Sequence, residues 1–248
     1  MRRVRFATNG RVIDGTADGN RIKGADGIFY GEEEIVYLPP VIPTKIFGLV
    51  LNYSDHVTEL GLSAPSEDPL LLMKPPSALI GNYGKIISPK GAKYMHYEAE
   101  LAVIIGRQGR KVRQEDVPDY ISGYTIANDV TVRDYITNTF RPPIRAKGFD
   151  TFCPLGPFNV TADEIPDLDN LNLTTRVNGE VRQKGNTRDL IHSVPKLVEF
   201  ITSFCTLEKG DLILTGTPKG ISPVVPGDKI EISIDGLGTL TNSVVSEI

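Results

Sequence analysis

Apolar residues along this chain fall mostly in short blocks. Ile46 to Leu51, Leu70 to Met73, Leu101 to Ile105 and Asp211 to Thr215 have the length of buried strands, not of helices. Glu98 to Ile105, Ile121 to Ala127 and Leu171 to Val177 read as further strands. Pro226-Gly227-Asp228 opens another, Lys229 to Ile234, which turns at Asp235-Gly236. Helical spacing is clearest from Pro195 to Phe204. Ser193 suits its N-cap, Pro195 sits in the first turn, and Leu197, Val198, Ile201 and Phe204 share one face. A short helix, His56 to Leu60, is closed by Gly61, and a further helix is expected from about Thr131 to Asn138. Before Pro39-Pro40 and Pro43 the chain alternates short strands with glycines. This predicts a small N-terminal β domain over residues 1–43 and a larger domain over 44–248. Strands outnumber helices and βαβ alternation is poor, so the expected class is β-rich α+β with a mixed or mostly antiparallel core.

Composition narrows the function. A formal net charge of -4 argues against a nucleic-acid surface, which needs a basic excess. No apolar run reaches the ~18 residues of a membrane span, and the basic start is not followed by a secretory apolar segment. Cys153 and Cys205 show no CxxC spacing, which suits reduced thiols in a cytoplasmic protein.

The strongest chemical signal is His96-Tyr97-Glu98-Ala99-Glu100, leading into the apolar run. Residues two apart on a strand share a face, so His96, Glu98 and Glu100 are expected to project together. Paired carboxylates at the mouth of a buried strand need a cation or a shared proton; a solvated strand end is the alternative. Asp129, after the apolar Ile126-Ala127, supplies a third carboxylate or a plain N-cap. Glu98, Glu100 and Asp129 form an all-oxygen set that suits a hard divalent cation. Arg133 and Lys147 are cations nearby in sequence. Gly216-Thr217, in a Gly-rich turn after a strand, offers backbone N–H groups and a hydroxyl for a substrate carboxylate, or merely a turn that needs positive φ. His56 and Glu59 lie three apart, as a proton-moving pair or an incidental ion pair would.

Taken together, these stretches resemble the fumarylacetoacetate hydrolase superfamily. The match rests on Leu51-Asn52-Tyr53-Ser54-Asp55-His56, His96-Tyr97-Glu98-Ala99-Glu100-Leu101, Asn128-Asp129 with Arg133-Asp134, Lys147-Gly148-Phe149-Asp150 and Thr215-Gly216-Thr217-Pro218-Lys219-Gly220. The resemblance implies a mixed β-roll core, a homodimer, and Mg²⁺ or Mn²⁺ on Glu98, Glu100 and Asp129. It implies that Lys147 stands beside the metal, that Thr217 contacts substrate, and that His56 and Glu59 ride on a lid. Arg133, with Arg141 or Arg145, is expected to bind the far carboxylate of a diacid. Within the superfamily the chain is similar to the isomerase/decarboxylase branch, through Tyr94-Met95-His96-Tyr97, Arg133-Asp134-Tyr135 and Gly220-Ile221-Ser222-Pro223-Val224-Val225-Pro226-Gly227-Asp228. Ile136 stands where hydrolases of the superfamily carry Gln. The implied activity is therefore isomerisation or decarboxylation of 2-keto or 2-enol dicarboxylic acids of aromatic catabolism, with acylpyruvate or fumarylacetoacetate-type C–C hydrolysis and oxaloacetate decarboxylation as the alternatives.

Overall fold

The strand Ala99–Ile105 is buried at every position, which explains its unbroken apolar run. It is flanked on both sides by antiparallel neighbours, Ile121–Asn128 and Leu212–Leu214, so neither edge nor face meets water. The structure is a computed structural model and describes residues 1–19, 21–62, 67–136, 143–165 and 167–248. From this strand a long sheet extends in both directions. On one side Leu212–Leu214 pairs in parallel with Ile46–Val50, which pairs with Leu70–Lys74. On the other, Ile121–Asn128 pairs with Cys153–Val160. A second sheet carries Glu180–Asn186, Asn172–Val177, Lys229–Ile234, Gly238–Ser246 and Lys85–Ser88 in that order. Its strands show the period-2 burial of a sheet with one face on the core, as in Lys229–Ile234 and Gly238–Ser246. One apolar cluster, including Leu101, Ile126, Leu173, Val198, Ile232 and Leu240, fills the space between the two sheets. The fold is thus mostly sheet with few helices, as the strand-rich pattern predicts.

The N-terminal strands are built on the long sheet: Arg2 and Arg3 pair with Val160 and Asn159. They also surround an apolar cluster of their own, including Val4, Phe6, Ile13 and Tyr37.

Among the described residues there are three α-helices, α1 (Ser54–Glu59), α2 (Ile144–Lys147) and α3 (Val194–Phe204). None is long and apolar enough to cross a membrane. In α3 Leu197, Val198 and Ile201 are buried as expected. Phe204 is not: it is 54% exposed and packs edge-on against Phe200 at the helix end. Ser193 occupies the N-cap position, but its hydroxyl makes no capping bond.

The helix expected from Thr131 is replaced. Thr131–Val132 is a strand paired with Met95–His96, followed by a 3₁₀ turn over Arg133–Tyr135. Residues 137–142 lie outside the described residues. Two β-branched residues and a waiting partner strand outweigh the weak helical spacing. Pro223–Val224 completes this small sheet.

One buried knot fixes the parallel pair beneath the site. The side chain of Asp211 accepts from Thr44 N, Thr44 Oγ1, Lys45 N, Lys45 Nζ and Glu208 N at 2.6–3.0 Å. Burial opposes its ionisation, but the Lys45 ammonium and these donors outweigh burial and hold its carboxyl below the ordinary 3.8. Asp211→Asn should cost about 1–3 kcal/mol in urea unfolding at neutral pH. A depressed folded pKa gives stability that is present above 3.8 and lost as pH falls through the folded value. The gap between wild type and variant should therefore close in acid.

Candidate metal centre and its surroundings

Glu98 lies just before the buried strand and Glu100 is its second residue, so the alternating pattern that begins it places both carboxylates together. Asp129 is pinned beside them by backbone pairing. Its N–H donates to Glu98 O at 2.8 Å, while Asn128 Oδ1 accepts from Glu98 N at 3.0 Å. All three residues are at most 5% exposed. Each offers a carboxylate oxygen, and these oxygens lie within 4.8 Å of one another. His96, expected on the same face, is not part of the cluster. Burial and the Arg133 charge hold its imidazole at about 4, so it is neutral near pH 7.

Three cations answer two of the carboxylates, Glu98 and Asp129. Lys147, the last residue of α2, is buried, and its Nζ donates to Glu98 Oε2 at 2.8 Å, Asp129 Oδ2 at 2.6 Å and Thr131 Oγ1 at 2.7 Å. Burial pulls the Lys147 ammonium down, but Asp129 and Glu98 outweigh it and raise its pKa above the usual value. Arg133 reaches Glu98 Oε1 from the 3₁₀ turn, so it pairs with Glu98 and not with the nearer-in-sequence Asp129. Lys74, closing the strand Leu70–Lys74, is 2% exposed and donates to Asp129 Oδ1 at 2.6 Å. Sequence reasoning missed Lys74. Its signal was a lone charge ending an apolar strand before Pro75-Pro76, a pattern that usually marks a strand leaving the core.

The charges are unevenly shared. Burial opposes ionisation of Glu98, yet Lys147 and Arg133 hold its carboxyl at about 2. Glu100 has no ammonium or guanidinium partner among the described residues. Among the described residues it accepts one hydrogen bond, from the Gly216 N–H at 2.6 Å. Burial, Asp129 and Glu98 push its carboxyl well above the usual range. Hard oxygen donors without thiol or imidazole, and one carboxylate short of positive charge, fit a divalent cation.

The loop after Leu212–Leu214 forms the next wall. Gly216 has φ +93°, and a Cβ there would meet Asn52 Cβ at 3.0 Å, so glycine is required. Its N–H, expected to meet a substrate carboxylate, is taken by Glu100. Asn52 ties the loop down by donating to Thr215 O at 2.9 Å and accepting from His192 N at 2.8 Å. The Thr217 hydroxyl accepts from Gln183 Nε2 at 2.8 Å. Helix α1 covers this loop. His56 is 6% exposed, its Nδ1 lies 2.9 Å from Glu59 Oε2, and Glu59 Oε1 accepts from Gly220 N at 2.9 Å. The pair is thereby tied to the same loop whose Gly216 N–H is bonded to Glu100. The structure therefore brings Glu98, Glu100, Asp129, Lys147 and Arg133 into one contact network with Gly216 bonded to it, and sets Thr217, His56 and Glu59 on or against the loop that Gly216 opens. Arg145 instead lies over the Tyr135 ring, 4.1 Å from its centroid, and Arg141 is outside the described residues.

Residues 45–245 match the family described as fumarylacetoacetate (FAA) hydrolase C-terminal. The 4-hydroxyphenylacetate degradation bifunctional isomerase/decarboxylase of Escherichia coli is 48% identical over 202 residues, 82% of this chain and 47% of that protein. The chain thus spans about half the length of that relative. The 2-hydroxyhepta-2,4-diene-1,7-dioate isomerase from Mycobacterium marinum has a crystal structure similar at TM-score 0.89 and 36% identity, covering 100% of this chain and 99% of that one. Maleylpyruvate hydrolase from Sphingobium sp. SYK-6, in complex with manganese(II) ion and pyruvate, is similar at TM-score 0.86 and 30% identity, covering 100% of both chains.

Proposed function

The chain belongs to the fumarylacetoacetate hydrolase family, and on that premise we propose that it is a divalent-metal-dependent isomerase/decarboxylase of 2-keto or 2-enol dicarboxylic acids from aromatic catabolism. The substrate type is 2-hydroxyhepta-2,4-diene-1,7-dioate for isomerisation or 5-oxopent-3-ene-1,2,5-tricarboxylate for decarboxylation, and the metal is Mg²⁺ or Mn²⁺. The observation that carries the reading is the buried Glu98–Glu100–Asp129 cluster with Lys147 against it and the His56–Glu59 pair alongside. The names of the relatives and the manganese and pyruvate held by one of them support the same chemistry.

Glu98, Glu100 and Asp129 would hold the cation, which would supply positive charge to the keto or enol acid end of the substrate. Isomerisation moves a proton along the carbon chain, and decarboxylation releases CO₂ and leaves an electron pair behind. In both, C2 oxygen takes up negative charge. The Lys147 ammonium adds fixed positive charge beside it without reorganising, because its three contacts already hold it in place. Thr217 donates its hydroxyl to the substrate carboxylate. The Arg133 guanidinium, whose buried Nε has no partner among the described residues, binds the far carboxylate. His56 and Glu59 remove the proton from one chain carbon and return it to another, on a helix that closes over the site.

The protein works as a homodimer in the cytoplasm. Two free cysteines suit a reducing compartment. Tyr94, Ile136, Ile144 and Val225 are exposed apolar residues of the kind a second copy would cover. Light scattering should give twice the chain mass of 27.1 kDa.

The test is turnover with Mg²⁺ or Mn²⁺ of the dienoate, its tricarboxylate precursor, an acylpyruvate and oxaloacetate in parallel. Metal-dependent conversion of the dienoate or the tricarboxylate is expected. C–C cleavage of acylpyruvate with water incorporated, or activity on oxaloacetate alone, would overturn the assignment.

A further inference from the structure

The Thr217 hydroxyl has one partner among the described residues, and the direction of that bond is fixed. Gln183 Nε2 lies 2.8 Å from both Thr217 Oγ1 and the carbonyl oxygen of Pro218. A carbonyl oxygen only accepts, so the Gln183 amide must turn its NH₂ toward Pro218, and its other hydrogen then points at Thr217. The opposite orientation would set Oε1 against Pro218 O. On the far side Thr175 Oγ1 lies 2.9 Å from Gln183 Oε1 and donates to it. Thr175 and Gln183 are cross-strand partners in the second sheet, so this relay is anchored in regular structure. Thr175, Gln183 and Thr217 are 0%, 1% and 4% exposed, so water does not compete for these groups.

Thr217 Oγ1 is thereby used as an acceptor. Its own proton finds no protein acceptor among the described residues, and the next residue back, Gly216, contacts Glu100. Gly185 leaves room for this arrangement, since a Cβ there would lie 2.4 Å from Pro218 Cγ.

We infer that Gln183 is a positioning residue that sets the polarity of Thr217, making its hydroxyl an obligate donor to the anionic end of the substrate, with Thr175 holding the amide in place. The inference rests on the proposed function and deepens it. A free threonine hydroxyl can point its proton at any of three staggered positions; here the position facing the Gln183 N–H is closed to it, so the proton is left to turn toward the substrate.

The test is calorimetric titration of oxalate, the smallest dianion with a carboxylate beside further oxygens, into protein saturated with Mn²⁺. For Gln183→Met the oxalate Kd should rise about 10- to 100-fold, the loss of a hydrogen bond to a charged group. Mn²⁺ affinity and kcat should stay within about 3-fold, with KM following oxalate, because Glu98, Glu100 and Asp129 are untouched. Thr217→Val should show the same oxalate loss, and the double variant should lose little more, as expected of residues that act as one unit. If Gln183→Met fails to fold, Thr175→Val carries the same test with a smaller rise of about 3-fold, since Pro218 still orients the amide. Oxalate binding unchanged in these variants would overturn the inference, as would losses that multiply in the double variant or that come with lost Mn²⁺ affinity. Wild-type protein that binds Mn²⁺ but no oxalate would overturn both the inference and the function beneath it.

Discussion

Lys147→Met is expected to lower kcat about 10³-fold, the scale for removing one preorganised charge from a developing oxyanion. Its second effect separates electrostatics from general damage. Lys147 is buried and bridges Glu98 and Asp129, so methionine keeps the stem and leaves both carboxylates short of positive charge. Breaking a buried pair this way costs about 3–5 kcal/mol in the metal-free protein. Lys74 remains on Asp129 and Arg133 on Glu98, so the cost should fall at the low end of that range. The same unpaired charge attracts a dication. Saturating Mn²⁺ should therefore raise the melting temperature of Lys147→Met more than that of wild type. Equal shifts in differential scanning fluorimetry would show that Lys147 and the cation do not act on the same carboxylates.

Glu59→Gln should lower kcat without altering the response to the metal. The substitution keeps the shape of the side chain and removes the carboxylate that holds His56 Nδ1 at 2.9 Å. An amide can still meet His56 and the Gly220 N–H, so helix α1 should stay seated on the loop. Without the carboxylate the pair cannot share a proton, and kcat should fall about 10²- to 10⁴-fold. Mn²⁺ and oxalate affinities should not change, because neither ligand needs proton transfer. A kcat close to wild type in steady-state assays would remove the pair from the proton path.

What the sequence made legible follows from where the physics is local. Glu98 and Glu100 stand two apart beside an apolar run, and strand periodicity alone brings them together. His56 and Glu59 stand three apart on a helix, and helical spacing brings them together just as locally. Asp129 needed a longer step, since it joins the cluster through backbone pairing of distant strands. Lys74 was invisible because its partner is 55 residues away, and nothing near it demands burial. Thr131 and Val132 misled in the same way. Their helical spacing was plausible, but Met95–His96 and Pro223–Val224 were available as strand partners. Phe204 marks a limit of periodicity: it continues the buried stripe in projection, but the helix ends there and the ring faces solvent. The Gln183 relay was hidden for a further reason. A glutamine on a strand carries no signal until the Pro218 carbonyl and the Thr217 hydroxyl are seen to converge on it.

The most direct test of the account is a calorimetric titration of chelator-stripped protein with Mn²⁺, repeated on Glu98→Ala, Glu100→Ala and Asp129→Ala. One Mn²⁺ should bind per chain, and each substitution should weaken it by at least about 10-fold, roughly the effect of removing one carboxylate from a three-carboxylate site. Wild-type protein that binds no Mn²⁺, or binds it equally well in all three variants, would contradict the reading of this buried cluster as a cation site.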